Sequence, residues 1–168
     1  MKKTAYILIP IAMLLAGCPT PKVLPDIPRV EFRSFVLDMK IDNLNNEVLT
    51  GVLNFYFEDG DGDIGFEASY DSLEAPDSVK YNLFLTTYER VDGQYQMIDT
   101  SDLDVKPFYR IPPLDREGQN KTLKGEIEVE INYHIPPADT IKYSFYLTDR
   151  AFNHSNTDTT SEIVLAGW

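Results

Sequence analysis

From Val30 onward, apolar and polar side chains alternate along the chain with a period of two. Phe35, Leu37, Met39 and Ile41 alternate with Val36, Asp38 and Lys40; Leu49, Gly51, Leu53, Phe55 and Phe57 alternate with Thr50, Val52, Asn54 and Tyr56. Tyr81, Leu83, Leu85 and Thr87 form one face of a third run. Ile127, Val129, Ile131 and Tyr133 set against Glu126, Glu128, Glu130 and Asn132 give the clearest case of one buried and one wet face. Ile141, Tyr143, Phe145 and Leu147 make another face, and Ile163 with Leu165 a last short one. Successive side chains of a strand point to opposite faces of a sheet, so this period, carried by β-branched and aromatic residues, predicts strands. Outside the apolar N-terminal segment no stretch sustains a 3.6-residue period.

Turn chemistry separates the runs. Asp42-Asn43-Leu44-Asn45-Asn46 lies between the first two, and Val91-Asp92-Gly93-Gln94 carries an Asp-Gly hairpin signal. His134-Ile135-Pro136-Pro137-Ala138 precedes the penultimate run and Asn153-His154-Ser155-Asn156 the last. About seven antiparallel strands result, over 30–41, 48–58, 80–90, 94–98, 122–133, 140–149 and 159–165. That number of strands in this length predicts an all-β, immunoglobulin-like sandwich of two sheets, with a closed barrel as the alternative.

The N-terminus is organised differently. Met1-Lys2-Lys3 is followed by an apolar run from Ala5 to Leu15, interrupted only by Pro10, and by the small residues Ala16 and Gly17 before Cys18. Charge, a short apolar stretch and a small-residue cleavage site are the three parts of a secretory signal. The run is shorter than the roughly 20 apolar residues of a spanning helix. Leu15-Ala16-Gly17-Cys18 resembles the bacterial lipobox, in whose precursors the Cys thiol takes up a diacylglycerol before cleavage and the new N-terminus is then acylated. Cys18 is the one cysteine of the chain, so no intramolecular disulfide competes for it. Next come four prolines in ten residues, Pro19 to Pro28, which predict an extended tether reaching roughly 30 Å at about 3.1 Å per residue. The expected organisation is a signal peptide over 1–17, a lipidated Cys and tether over 18–28, and a sandwich domain over 29–168.

Charge narrows the partners. Without Lys2 and Lys3, 13 basic and 27 acidic residues remain, which takes the formal charge from −12 to −14. Nucleic acid is a poor partner for such a surface, since its binding relies on Lys and Arg neutralising phosphates. Anionic lipid headgroups would repel the domain, leaving the lipid on Cys18 as the membrane contact. Pro19-Thr20-Pro21-Lys22 lacks the acidic run with which some bacteria direct lipoproteins to the cell surface, which favours the periplasmic side of the outer membrane.

The sharpest local motif is Phe57-Glu58-Asp59-Gly60-Asp61-Gly62-Asp63-Ile64-Gly65. Asp59, Asp61 and Asp63 fall on alternate positions, between glycines that let the backbone turn tightly. Ca²⁺ takes six to eight oxygens, which acidic loops of this kind supply. The spacing is not that of an EF-hand, because Ile64 stands where that loop needs Gly and Tyr70 where it needs its last Glu. Glu67 or Asp71 could add a ligand. In a sandwich the loop after the second strand and the loop before the last share an end, which would bring Asp149 and Asn153 to Asp59, Asp61 and Asp63. A solvated acidic turn needs no ion and is the plain alternative.

Together with Leu147-Thr148-Asp149-Arg150-Ala151-Phe152-Asn153-His154-Ser155-Asn156, and with Arg110-Ile111-Pro112-Pro113-Leu114 before Glu117-Gly118-Gln119-Asn120-Lys121, this loop gives the chain its resemblance to a family of bacterial lipoproteins. These pair an acidic glycine loop with a late Asp-Arg-Ala…Asn-x-Ser element. The late element is similar to the final hairpin of many bacterial immunoglobulin-like domains. The resemblance implies the sandwich fold and supplies no activity.

Signals for catalysis are few. His134 and His154 are the two histidines, and no nucleophile elbow, His-Glu-x-x-His helix or phosphate loop is present. The expected role is a non-catalytic, membrane-anchored domain that contacts an envelope protein and is stabilised by Ca²⁺. A carbohydrate-binding module with Tyr88, Tyr95 and Tyr109 as its aromatic platform is one alternative. A glycoside hydrolase built on a carboxylate pair is another.

Overall fold

The computed structural model describes residues 24–67, 75–99, 106–114 and 121–168. The expected signal peptide, Cys18 and the first part of the tether lie outside these residues, as do Tyr70, Asp71 and 117–120. The strands are β1 (Arg29–Ile41), β2 (Glu47–Asp59), β3 (Leu83–Val91), β4 (Gln94–Met97), β5 (Phe108–Tyr109), β6 (Leu123–Tyr133), β7 (Thr140–Leu147), β8 (Asp158–Thr159) and β9 (Ile163–Val164). A single helical turn, α1 (Asp77–Lys80), precedes β3.

Two antiparallel sheets form. One has the order β1-β2-β6. The other is built on β3 and β7, with β4 and β5 along the outer edge of β3 and β8 and β9 along that of β7. Strands one, two and six on one sheet and four, three, seven and eight on the other reproduce the connectivity of an immunoglobulin-like sandwich. The core-facing positions are those of the period-two pattern. Leu53, Phe55, Leu83, Leu85, Ile141, Phe145 and Leu147 are fully buried, and the rings of Phe55 and Phe145 meet across the sheets at 5.3 Å. Each such side chain contributes about 1.5–3 kcal/mol by leaving water. Tyr133 and Tyr143 face each other with hydroxyls 2.9 Å apart, and burial pushes the pKa of both phenols up, so they stay neutral.

Several elements depart from the pattern for identifiable reasons. The last strand, expected over 159–165, is two short pieces. Thr160 accepts the Tyr143 N–H through its own hydroxyl at 3.0 Å and donates its N–H to the Tyr143 carbonyl at 2.8 Å, so a side chain replaces one ladder bond before the chain rejoins β7 at Ile163. The third strand starts at Leu83, because 77–80 close a helical turn. Met39 and Ile41 lie on the expected core face yet are exposed on the edge strand β1, whereas Leu49, which pairs with Met39 on the central strand β2, is buried. Residues 24–28, read as tether, lie against the sandwich. Pro28 is buried, and Pro25 accepts the Gly60 N–H at 2.9 Å.

Candidate metal centre

The alternation that builds the core also places two carboxylates at its end. Leu53, Phe55 and Phe57 point inward from β2, and Asp59, next in the same series, follows them; it is completely buried. Phe145 and Leu147 do the same on β7, and Asp149, the next inward position, is also completely buried. Because β2 and β7 end on the same side of the sandwich, carboxylate oxygens of Asp59, Asp63 and Asp149 lie within 4.8 Å of one another.

The loop between them is held by close backbone approaches. Gly62 has φ +69, and a Cβ there would sit 1.8 Å from the Lys121 carbonyl oxygen. Gly65 has φ +103, and a Cβ would lie 2.2 Å from the Pro112 oxygen. Asp63 N–H donates to Asp59 Oδ2 at 2.9 Å, closing the turn. Arg150 donates to the Asp63 carbonyl through its backbone N–H at 3.2 Å and its Nε at 3.0 Å, and Ala151 N–H reaches Asp63 Oδ2 at 3.2 Å.

Hydrogen bonds satisfy only part of the cluster. Asp59 Oδ1, Asp61 Oδ1 and Asp63 Oδ1 are buried atoms with no hydrogen-bond partner. An orphaned buried acceptor costs about 1–3 kcal/mol, more if charged. Burial pushes the Asp59 carboxyl up to about 7, and the neighbouring Asp61, Asp63 and Asp149 add to the rise against the opposing Asp63 N–H bond. Asp63 is raised as well, first by burial, then by Asp149 and Asp61, with Arg150 working against them. Acids held this close favour a cation or a proton between them.

Of the five positions expected to ligate a metal, Asp59, Asp63 and Asp149 come together. Asp61 sits beside them with its unpaired oxygen. Asn153 takes a different place: its backbone N–H donates to Asp149 Oδ1 at 2.7 Å and its side-chain amide to Oδ2 at 2.8 Å, so it orients Asp149. Carboxylate ligands are commonly fixed by such partners. Glu67 is exposed.

Three polar residues escaped the sequence reading. Asn82 is fully buried, accepts the Ile111 N–H at 2.7 Å and donates to the Ile111 carbonyl at 3.2 Å, fastening that segment beside the acidic loop. Asn156 and Asp158 accept the N–H groups of Val30 and Phe32 at 3.0 and 2.7 Å, capping the first half of the β1 edge. Their one sequence signal is the density of Asn and Asp after β7, which reads equally as turn.

The expected aromatic platform does not assemble. Tyr109 pairs with Leu83 and packs on the core, where burial pushes its phenol up to about 12. Tyr88 points to the opposite face of β3, where Lys142 lies 4.2 Å from the Tyr95 ring centre and 6.0 Å from that of Tyr88. The outer face of this sheet also carries Phe84, Tyr146 and His154. Phe84 stacks on Tyr146 at 5.2 Å and Tyr146 on His154 at 5.0 Å, so these rings turn their faces to one another.

No protein family model matches the chain, and no curated protein or solved structure is detectably similar to it.

Proposed function

We propose that this protein is a lipid-anchored, non-catalytic adaptor of the bacterial envelope, whose immunoglobulin-like sandwich is stabilised by one Ca²⁺ and makes protein contacts on the periplasmic side of the outer membrane. The observation that carries the metal is Asp59, fully buried with an unpartnered oxygen among three other aspartates. Asp59, Asp61, Asp63 and Asp149 would hold the ion, and Asn153 would position Asp149. The hard oxygen donors suit Ca²⁺ better than Mg²⁺, which demands tight octahedral geometry and keeps its waters.

A structural ion also fits the location. A cleft of about 760 Å³ opens between Thr87, Tyr109, Tyr133 and Tyr143. Tyr133 pairs with Leu49, near the start of β2, whereas Asp59 ends that strand. Cleft and carboxylates are therefore about 30 Å apart along the strand, so the acids do not line this cleft. The anchoring part of the reading rests on Leu15-Ala16-Gly17-Cys18 behind its apolar run.

The test is thermal melting of the full chain in detergent with EDTA, Ca²⁺ or Mg²⁺. A ligand that binds only the folded state stabilises it by about 2.7 kcal/mol at a hundredfold excess over Kd, worth several degrees in a domain of this size. Ca²⁺ should raise the midpoint, Mg²⁺ should do so poorly, and Asp61→Asn with Asp63→Asn should abolish the response. Identical curves in all three conditions would overturn the metal.

A further inference from the structure

We infer that the free edge of β6 is a docking site for an extended segment of a partner protein that carries Lys or Arg on alternate positions. This rests on the reading of the domain as a protein-contact module, and gives the partner its chemistry.

The first observation is the edge itself. β6 pairs with β2 without a register break over Leu123–Tyr133, and among the described residues no strand lies on its other side. Among the described residues, none from 123 to 133 makes a main-chain hydrogen bond except to β2. Alternate residues of this eleven-residue strand thus turn unpaired N–H and C=O groups outward, which is the template an added strand requires. The other edges are shorter or blunted. The first half of β1 is capped by Asn156 and Asp158 and interrupted by a register shift between Phe32 and Ser34, and β4, β5, β8 and β9 have two to four residues each. β6 itself has no proline and no bulge.

The second observation is incomplete cover. Ile127 and Val129 point to the core face, yet they are only partly buried, in contrast to Leu53 and Phe55 beside them on β2. A fourth strand next to β6 would bury them. The inner face of the segment should therefore carry β-branched side chains.

The third is charge. Glu126, Glu128 and Glu130 are exposed on alternate positions of the outer face. Lys40 reaches Glu130 and Arg33 approaches Glu126 from β1, but both pairs are exposed and contribute little. Two copies of β6 laid antiparallel would set Glu against Glu, and directly opposed like charges destabilise a sheet. The stripe thus disfavours pairing with a second copy and favours a basic strand.

A ten-residue peptide alternating Lys and Thr serves as the probe, with the Glu-Thr peptide as control, against the full chain in detergent. The Lys-Thr peptide should bind at least about tenfold tighter than Glu-Thr and lose affinity with salt. Bound, it should slow amide exchange on alternate residues of β6. Glu126→Lys, Glu128→Lys and Glu130→Lys combined lie on the solvent face; if the melting midpoint is kept, the preference should reverse to Glu-Thr. Binding that protects other strands and leaves β6 exchange unchanged overturns the assignment while the contact reading stands. Failure of both peptides to bind the wild-type and reversed chains overturns the docking edge and removes the support it lends to the contact reading. Neither outcome touches the metal, which the melting experiment reads separately.

Discussion

At the scale of single residues, Asp59, with Asp63 shifted in the same direction, gives the metal-free protein a response to pH. The Asp59 carboxyl is raised from 3.8 to about 7 in the folded state. The folded chain therefore keeps a proton that the unfolded chain has released between these values. Stability from this group is complete below about pH 4 and lost as pH rises toward 7, by roughly 4 kcal/mol at most. In EDTA, denaturant midpoints should fall over this window, and Asp59→Asn should flatten the fall. Saturating Ca²⁺ should remove it too, because the ion takes the proton's place. A midpoint that climbs steadily from pH 4 to 7 in EDTA would contradict this account. Gly62 makes the companion case. Its positive φ and the Lys121 carbonyl leave no room for a side chain, so Gly62→Ala should lower the melting midpoint by several degrees, whereas Gly93→Ala, with nothing near its Cβ position, should lower it less.

At the scale of elements, the acidic loop is the meeting place of four segments. It touches residues 24–25 through Gly60, 121 through Gly62, 112–113 through Gly65 and 150–151 through Asp63. An ion at Asp59, Asp63 and Asp149 would tie the exit of β2 to the exit of β7 and, through the Gly60–Pro25 bond, fasten the root of the tether. Chelation should then speed amide exchange at Gly60 and Asp63 and loosen residues 24–28, leaving the middle of β2 and β7 protected. Exchange at Gly60 that ignores Ca²⁺ would separate the tether from the metal.

At the scale of the whole molecule, the chain enters the sandwich at its acidic end, where Pro25 lies against Gly60. A lipid on Cys18 would hold that end toward the bilayer. The opposite end, with exposed Met39, Ile41, Leu44 and Ile135, would point away from it. Cys18→Ala should leave an unprocessed precursor that takes up no labelled palmitate, and incorporation of label into the variant would refute the anchor.

The sequence by itself determined the strand-forming stretches and their inward faces, because period two is a local property of an extended chain. Phe55, Phe57 and Leu147 could be placed inside from that pattern. The same parity extends to Asp59 and Asp149, so even their burial was legible to a reader who continued the alternation past the last apolar residue. The sandwich expected from the sequence already brought Asp149 toward the acidic loop; tertiary structure decided that Asp59, Asp63 and Asp149 are the carboxylates that converge, since that depends on how β2 and β7 end side by side in different sheets. It also decided that Asn153 orients Asp149, that Asn156 and Asp158 cap β1, and that Tyr109 faces the core. These roles belong to short polar or amphipathic side chains whose partner can be any backbone group within reach. Which group comes within reach is fixed by the packing of the two sheets, and that packing is long-range.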